Sequence, residues 1–217
     1  MTRSKWILIG LLAGAVVLAS IRAPYPEEMY LQHSPTILVL IALPLTQRRW
    51  PISNGAFGCL VAFFLLHTLG ARYIYSNVPY DRWLESLLGH DLSGSLGWSR
   101  NHYDRLVHFG FGLLWARPVY EISVRHLGIP RRVAFYTVVE FLLAFSALYE
   151  LFEWALTMVL SPQDASDYNG QQGDIWDAHK DVSFALVGAL LATIVLAVRS
   201  RRSPRLQRAA LRTSRNP

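Results

Sequence analysis

Asp104 and His108 stand four residues apart, the spacing that puts two side chains on one face of a helix. Glu150 and Glu153 are three apart, and Asp174, Asp177 and Asp181 recur at spacings of three and four. Each group therefore shares a face if its segment is helical. An imidazole among carboxylates can hold a hard or borderline divalent cation, polarise a carbonyl or phosphoryl oxygen, and lower the pKa of bound water. A spare carboxylate would act as general base. On that chemistry the candidate catalytic residues are Asp104, Glu150, Glu153 and Asp181. The candidate metal ligands are His108, Asp104, Glu153, Asp177 and His67, and the identity of the cation is left open. Arg105 and Lys180 are nearby counter-charges that could meet part of the same demand without a metal. Nucleophilic catalysis has no comparable signature. There is no Gly-x-Ser-x-Gly, and the single cysteine, Cys59, lies in an apolar run and reads as an inert buried thiol.

These residues are carried by segments that are mostly apolar. The hydrophobic content of 52% falls in long blocks, near 6–21, 34–46, 53–71, 106–124, 134–160 and 182–198. Each block approaches the ~20 residues that cross a bilayer. The second is the shortest and is bounded by Pro35 and Pro44. The expected fold is all-α, a polytopic membrane protein of about six transmembrane helices forming one domain over 1–198. The first block follows Arg3 and Lys5 and imitates a signal peptide, but five further blocks favour a retained anchor.

Charge orients the chain. Fourteen of the 21 Lys and Arg fall in the N-terminus, 47–52, 125–133 and the tail 199–217. Positive loops stay cytoplasmic, so both termini are expected there. The acids Glu27, Glu28, Asp81, Glu85, Asp91, Asp164, Asp167, Asp174 and Asp177 fall in the other loops or at their edges. The tail reads as a basic cytoplasmic end near anionic headgroups, and lacks the aromatic platform of a nucleic-acid binder. In the outer loop 76–103, Trp83, Leu84, Leu87 and Leu88 form an apolar helical face, as expected of a helix lying in the interface.

This topology brings Asp104 and His108, Glu150 and Glu153, and Asp177 and Asp181 to one outer depth, with His67 near them. Taken singly, each has a plainer reading as a helix cap, an interfacial acid or a charge at a helix start. Their coincidence of depth across three segments favours one polar site, because ionisable groups at membrane depth are costly. Arg117 and Glu121, at the other end of the fourth span, read as an internal ion pair.

The segments "LHTLGARYIYSNVPYD", "YDRLVHF", Glu150-x-x-Glu153-Trp154 and "GDIWDAHKD" followed by "ALVGA" resemble the YjdF-like family of bacterial inner-membrane proteins. That resemblance covers roughly 60–190 and implies a small multi-pass protein of the bacterial inner membrane. A more distant likeness is to the VanZ-like family, associated with teicoplanin resistance. It is carried by Asp104, Arg105, His108 and Phe109, then by Glu150 and Glu153, and by Asp177 and Asp181. Here Glu153 stands where that family has Gln, and an Asp where it has Asn, which makes this site more acidic.

Three functions fit these residues. One is metal-dependent chemistry on a lipid-linked or envelope molecule at the outer face. A second is binding of an envelope ligand without turnover, as in a resistance-type module. A third is a small transporter or ion pathway in which the acids relay protons. The expected partners are the lipid bilayer and an envelope small molecule, with no nucleic acid and the oligomeric state left open.

Overall fold

The computed structural model of the chain describes residues 1–161, 165 and 168–202. Asp164, Asp167 and the basic tail beyond 202 lie outside the described residues. The described chain forms α1 (Arg3–Ser20), α2 (Pro26–Arg49), α3 (Asn54–Arg72), and the short α4 (Tyr80–Leu88) and α5 (Leu92–Leu96). It continues through α6 (Tyr103–Arg125), α7 (Arg131–Leu156) and α8 (Asp177–Arg202). Among the described residues there is no strand, so the all-α expectation holds. Five helices, α1, α2, α3, α7 and α8, are long and apolar enough to cross a membrane. The remaining long helix, α6, has 23 residues but carries Asp104, Arg105, Arg117, Glu121 and Arg125.

The run at 34–46 is corrected to a helix from Pro26 to Arg49 that continues through both internal prolines. Pro35 has no N–H to offer the Leu31 carbonyl, and the Ser34 hydroxyl donates to it instead at 2.8 Å. The outward faces of the long helices are apolar, with Ile7, Leu18, Leu38, Ile41, Leu151 and Ile194 all exposed. The interior holds Asp, Glu and His. That reverses the arrangement of a soluble domain and suits a lipid surround.

The central helix is α6, which packs on α3, α7 and, most extensively, α8. Small residues make the α6–α8 approach possible. Gly112 lies against the backbone of Ala185 and Ala189, and Gly188 against Phe109 and Leu113, so a Cβ on either glycine would strike backbone atoms. Ala116, Val138, Leu142 and Ala189 fill the space between α6, α7 and α8.

Both ends of the bundle are pinned. The Lys5 ammonium donates to Gln47 Oε1 and to the Ile52 carbonyl, each at 2.6 Å. The expected Arg117–Glu121 pair forms at 3.2 Å and is part of a larger staple. The Glu121 carboxylate also accepts from Ser53 N at 2.7 Å and Ser53 Oγ at 2.6 Å, and faces Arg125 at 3.3 Å. At the opposite end Arg72 caps α1, donating to the Ala19 carbonyl at 2.5 Å. Helix α4 forms within the expected loop, with Trp83, Leu87 and Leu88 exposed. Asp81 ties it to α5 by accepting from Ser93 N and Oγ at 2.9 and 2.6 Å.

Candidate functional site

The start of α6 is fastened to the segment before α8. Asn101 receives a hydrogen bond from Tyr103 N at 3.0 Å, and its own N–H donates to Gln172 Oε1 at 2.9 Å. Arg100 donates to the Gln171 and Gly170 carbonyls, both at 3.0 Å, and reaches the Asp177 carboxylate at 2.5 Å. Arg105 reaches Asp174 at 2.5 Å and Asp177 at 3.3 Å, and Lys180 reaches Asp174 at 2.6 Å. Helix α8 begins only at Asp177. Asp174 precedes it and accepts from Trp176 N at 3.1 Å. The Lys180 ammonium, with Trp176 N–H and Arg105, holds the Asp174 carboxyl well below its ordinary range. Burial, with Arg105 and Arg100 alongside, lowers the pKa of His102. As the neutral ring, its Nδ1 accepts from Arg105 at 3.0 Å.

One turn further into the bundle the charges are not matched. Asp104, His108 and Asp181 each offer a ligand atom within 4.8 Å of the others, and all three are buried. Donors held about 2.0–2.6 Å from one cation stand no more than ~4–5 Å apart, so this trio has the dimensions of a metal site. His108 Nε2 is 3.4 Å from Glu150 Oε1 and 3.8 Å from Asp104 Oδ1. On its other side, His108 Nδ1 meets the Ser146 hydroxyl at 3.4 Å, which steadies the ring. Glu150 Oε1 and Asp181 Oδ1 are buried with no hydrogen-bond partner. Three carboxylates around one imidazole carry excess negative charge if ionised. Arg100, Arg105 and Lys180 bring three positive charges to the two acids Asp174 and Asp177, so the clamp offsets one of the three and leaves the rest to protons or a bound cation.

The expected residues thus divide. Asp104, His108, Asp181 and Glu150 meet, whereas Asp177 faces the two arginines. Glu153 is buried on α7 within electrostatic reach of Asp104 and Glu150 but outside the trio, its backbone carbonyl accepting from Asn169 at 3.2 Å. Both ring nitrogens of His67 are engaged. Its Nε2 donates to the Gln32 carbonyl at 2.8 Å, so Nδ1 accepts from the Tyr75 hydroxyl. Tyr75 reaches back over α3 because Ile74 and Tyr75 take φ values of 46° and 54°, which side chains rarely adopt. Gly70 leaves room for the ring, since a Cβ there would lie 2.8 Å from it. His67 and Tyr75 line a cavity of about 230 Å³ whose wall also includes Asp104, His108 and Ser146.

Arg100, Ser146 and Tyr75 were not anticipated from sequence. Nothing in their spacing marks them, because each reaches the site from a different segment. The small-residue stripe had a legible signal in Ala185, Gly188, Ala189 and Ala192, which share a face of α8.

The comparisons agree with this architecture. Residues 4–202 match the model of the family described as Predicted membrane protein (DUF2238). The chain is 36% identical over 165 residues to the inner membrane protein YjdF of Escherichia coli (strain K12), covering 76% of this chain and 75% of that one. No solved structure matches it. The chain is a multi-pass inner-membrane protein, and it belongs to the DUF2238 family of predicted membrane proteins.

Proposed function

We propose that Asp104, His108 and Asp181 bind a divalent cation at the outer face of a six-span protein with both termini in the cytoplasm. In this reading the cation acts on a lipid-linked or envelope molecule. It would polarise a carbonyl or phosphoryl oxygen and activate water, with Glu150 as general base. Glu153, Asp177 and His67 would shape and anchor the site from outside the ligand set. The distant VanZ-like likeness remains part of this proposal and assigns no reaction. The observation that carries it is the buried Asp181 oxygen that has no hydrogen-bond partner among the described residues, beside an imidazole steadied from behind and facing Glu150 Oε1 at 3.4 Å.

A proton or ion pathway has less support. Between this cluster and the Glu121 staple, the interior around α6 is filled by Ala116, Val119, Val138 and Leu142. Helix α4 would lie in the outer interface on Trp83, Leu87 and Leu88.

Metal analysis of detergent-purified protein, equilibrated with Mg²⁺, Mn²⁺ and Zn²⁺ in turn, tests the site. Stoichiometric metal that is lost in His108→Ala and Asp181→Asn is expected. Protein that stays metal-free with all three ions overturns the reading. Reporter fusions at the C-terminus and in the 161–173 loop should report opposite sides of the membrane, and a periplasmic C-terminus overturns the orientation.

A further inference from the structure

The 230 Å³ cavity is bounded by α3 and α6 behind, α2 on one side and α7 on the other. Its walls are almost wholly apolar. Asp104, His108 and Ser146 bring the few polar atoms near the outer end. Phe63, Phe64, Phe111, Val107 and Phe145 line much of the rest, beside His67, Tyr75 and Tyr149. The inner end is closed by Trp115, whose ring meets Phe63, Phe64 and Phe111 at centroid distances of 6.0, 6.1 and 5.7 Å. A mainly aromatic pocket with a few convergent polar groups is the usual form of a small-molecule site.

The fourth side faces lipid. Helix α2 packs on α1 and α3, whereas α7 packs on α6 and α8, so among the described residues no helix covers the line between α2 and α7. Pro35 and Phe145 both line the cavity and are exposed, Phe145 by 50%. On α2 the neighbouring Leu31, Ile37 and Leu38 are exposed as well. A molecule entering from this side would come from the hydrocarbon layer, with its polar end towards Asp104 and His108.

We infer that the cavity admits, sideways from the bilayer, one hydrocarbon chain of a phosphoryl-bearing amphiphile and brings its head to the Asp104–His108–Asp181 cluster. The inference rests on the metal reading for the head and on the aromatic walls for the chain. Arg100 and Arg105 are turned to Asp174 and Asp177 and leave only the Arg105 Nε without a partner, so a cation at the cluster is the main group able to hold an anionic head. A hard cation on carboxylates takes phosphoryl oxygens readily. At about 230 Å³ the cavity has room for part of a chain whose remainder stays in lipid.

Photolabelling of Mn²⁺-loaded protein in proteoliposomes tests this. The probes are a long-chain alkyl phosphate with a diazirine in its chain and the alcohol of the same chain. The phosphate probe should label peptides containing Phe63, Phe111 and Phe145, about tenfold more than the alcohol does. Val107→Trp, which fills the cavity, and Phe145→Trp, which obstructs its side, should each cut that labelling about tenfold. Unchanged metal content in these variants shows that they remain folded. Labelling confined to outward positions such as Leu38, Ile41 and Leu151, or unaffected by both tryptophans, overturns the inference. Equal labelling by the alcohol overturns the phosphoryl head. Metal content of the unmodified protein, measured on the same samples, reads the metal proposal separately.

Discussion

Asp177 and Asp181 sit one turn apart on α8 and have opposite surroundings. Asp177 is met by two guanidinium groups, at 2.5 and 3.3 Å. Asp181 is 1% exposed, shares its space with Asp104 and His108, and has an oxygen with no partner. The same residue type on one helix face serves as a fastening in the first case and as an open demand for positive charge in the second. Charge matching within reach, rather than burial or spacing, separates a structural acid from a candidate ligand.

The sharpest way to break this contrast is to remove the fastening. Arg105→Ala removes charged hydrogen bonds to both Asp174 and Asp177, which keep Lys180 and Arg100 as partners, and should destabilise the protein by about 3 kcal/mol. Thermal unfolding in detergent measures this, and an unchanged midpoint would mean the clamp is idle.

The second experiment uses the two aspartates against each other. Asp177→Asn weakens charged hydrogen bonds and should cost about 1.5–3 kcal/mol. Asp181→Asn removes an unmatched charge, so in metal-free protein its stability should stay level or rise while metal binding is lost. Equal destabilisation by both would erase the distinction between the two acids.

Acid offers a graded test. Asp174 has a folded pKa below its unfolded value near 3.8, so its contribution is present above that pH and disappears as pH falls below it. His102 is also lowered, from 6.5, and its neutral form is favoured on folding. Its contribution is therefore present above about pH 6.5 and fades as pH falls through the lower folded value. Stability measured against pH should decline in two stages, and His102→Gln should shrink the upper one.

The smallest effect belongs to Lys180, whose side chain is 46% exposed. Lys180→Ala should cost only about 0.2–1 kcal/mol, less at high salt, and should move the acid stage of Asp174 upward. A loss as large as that of Arg105→Ala would show that the rim, not the interior, holds the clamp.

Helix positions were legible because apolar runs of bilayer length leave few alternatives. Five of the six expected segments lie close to observed helices, and α2 departs because Ser34 relieves the break that Pro35 suggested. The pairing of Asp104 with His108 was also legible, since it needs only helical spacing within one segment. That Asp181 joins them while Asp177 does not was hidden, because it depends on how deeply α8 slides along α6. Gly112 and Gly188 set that depth by letting the two backbones touch. His67 was a candidate ligand in sequence, and it is engaged because an unusual turn carries Tyr75 back over it.

The sequence by itself thus determined the membrane class, the helical segments and the acid and histidine content of one end of the bundle, since those follow from hydropathy and local spacing. Tertiary structure alone decided which acids from other helices meet a guanidinium and which meet the imidazole. Pair distances between helices are set by side-chain volumes and loop reach, which no local period records.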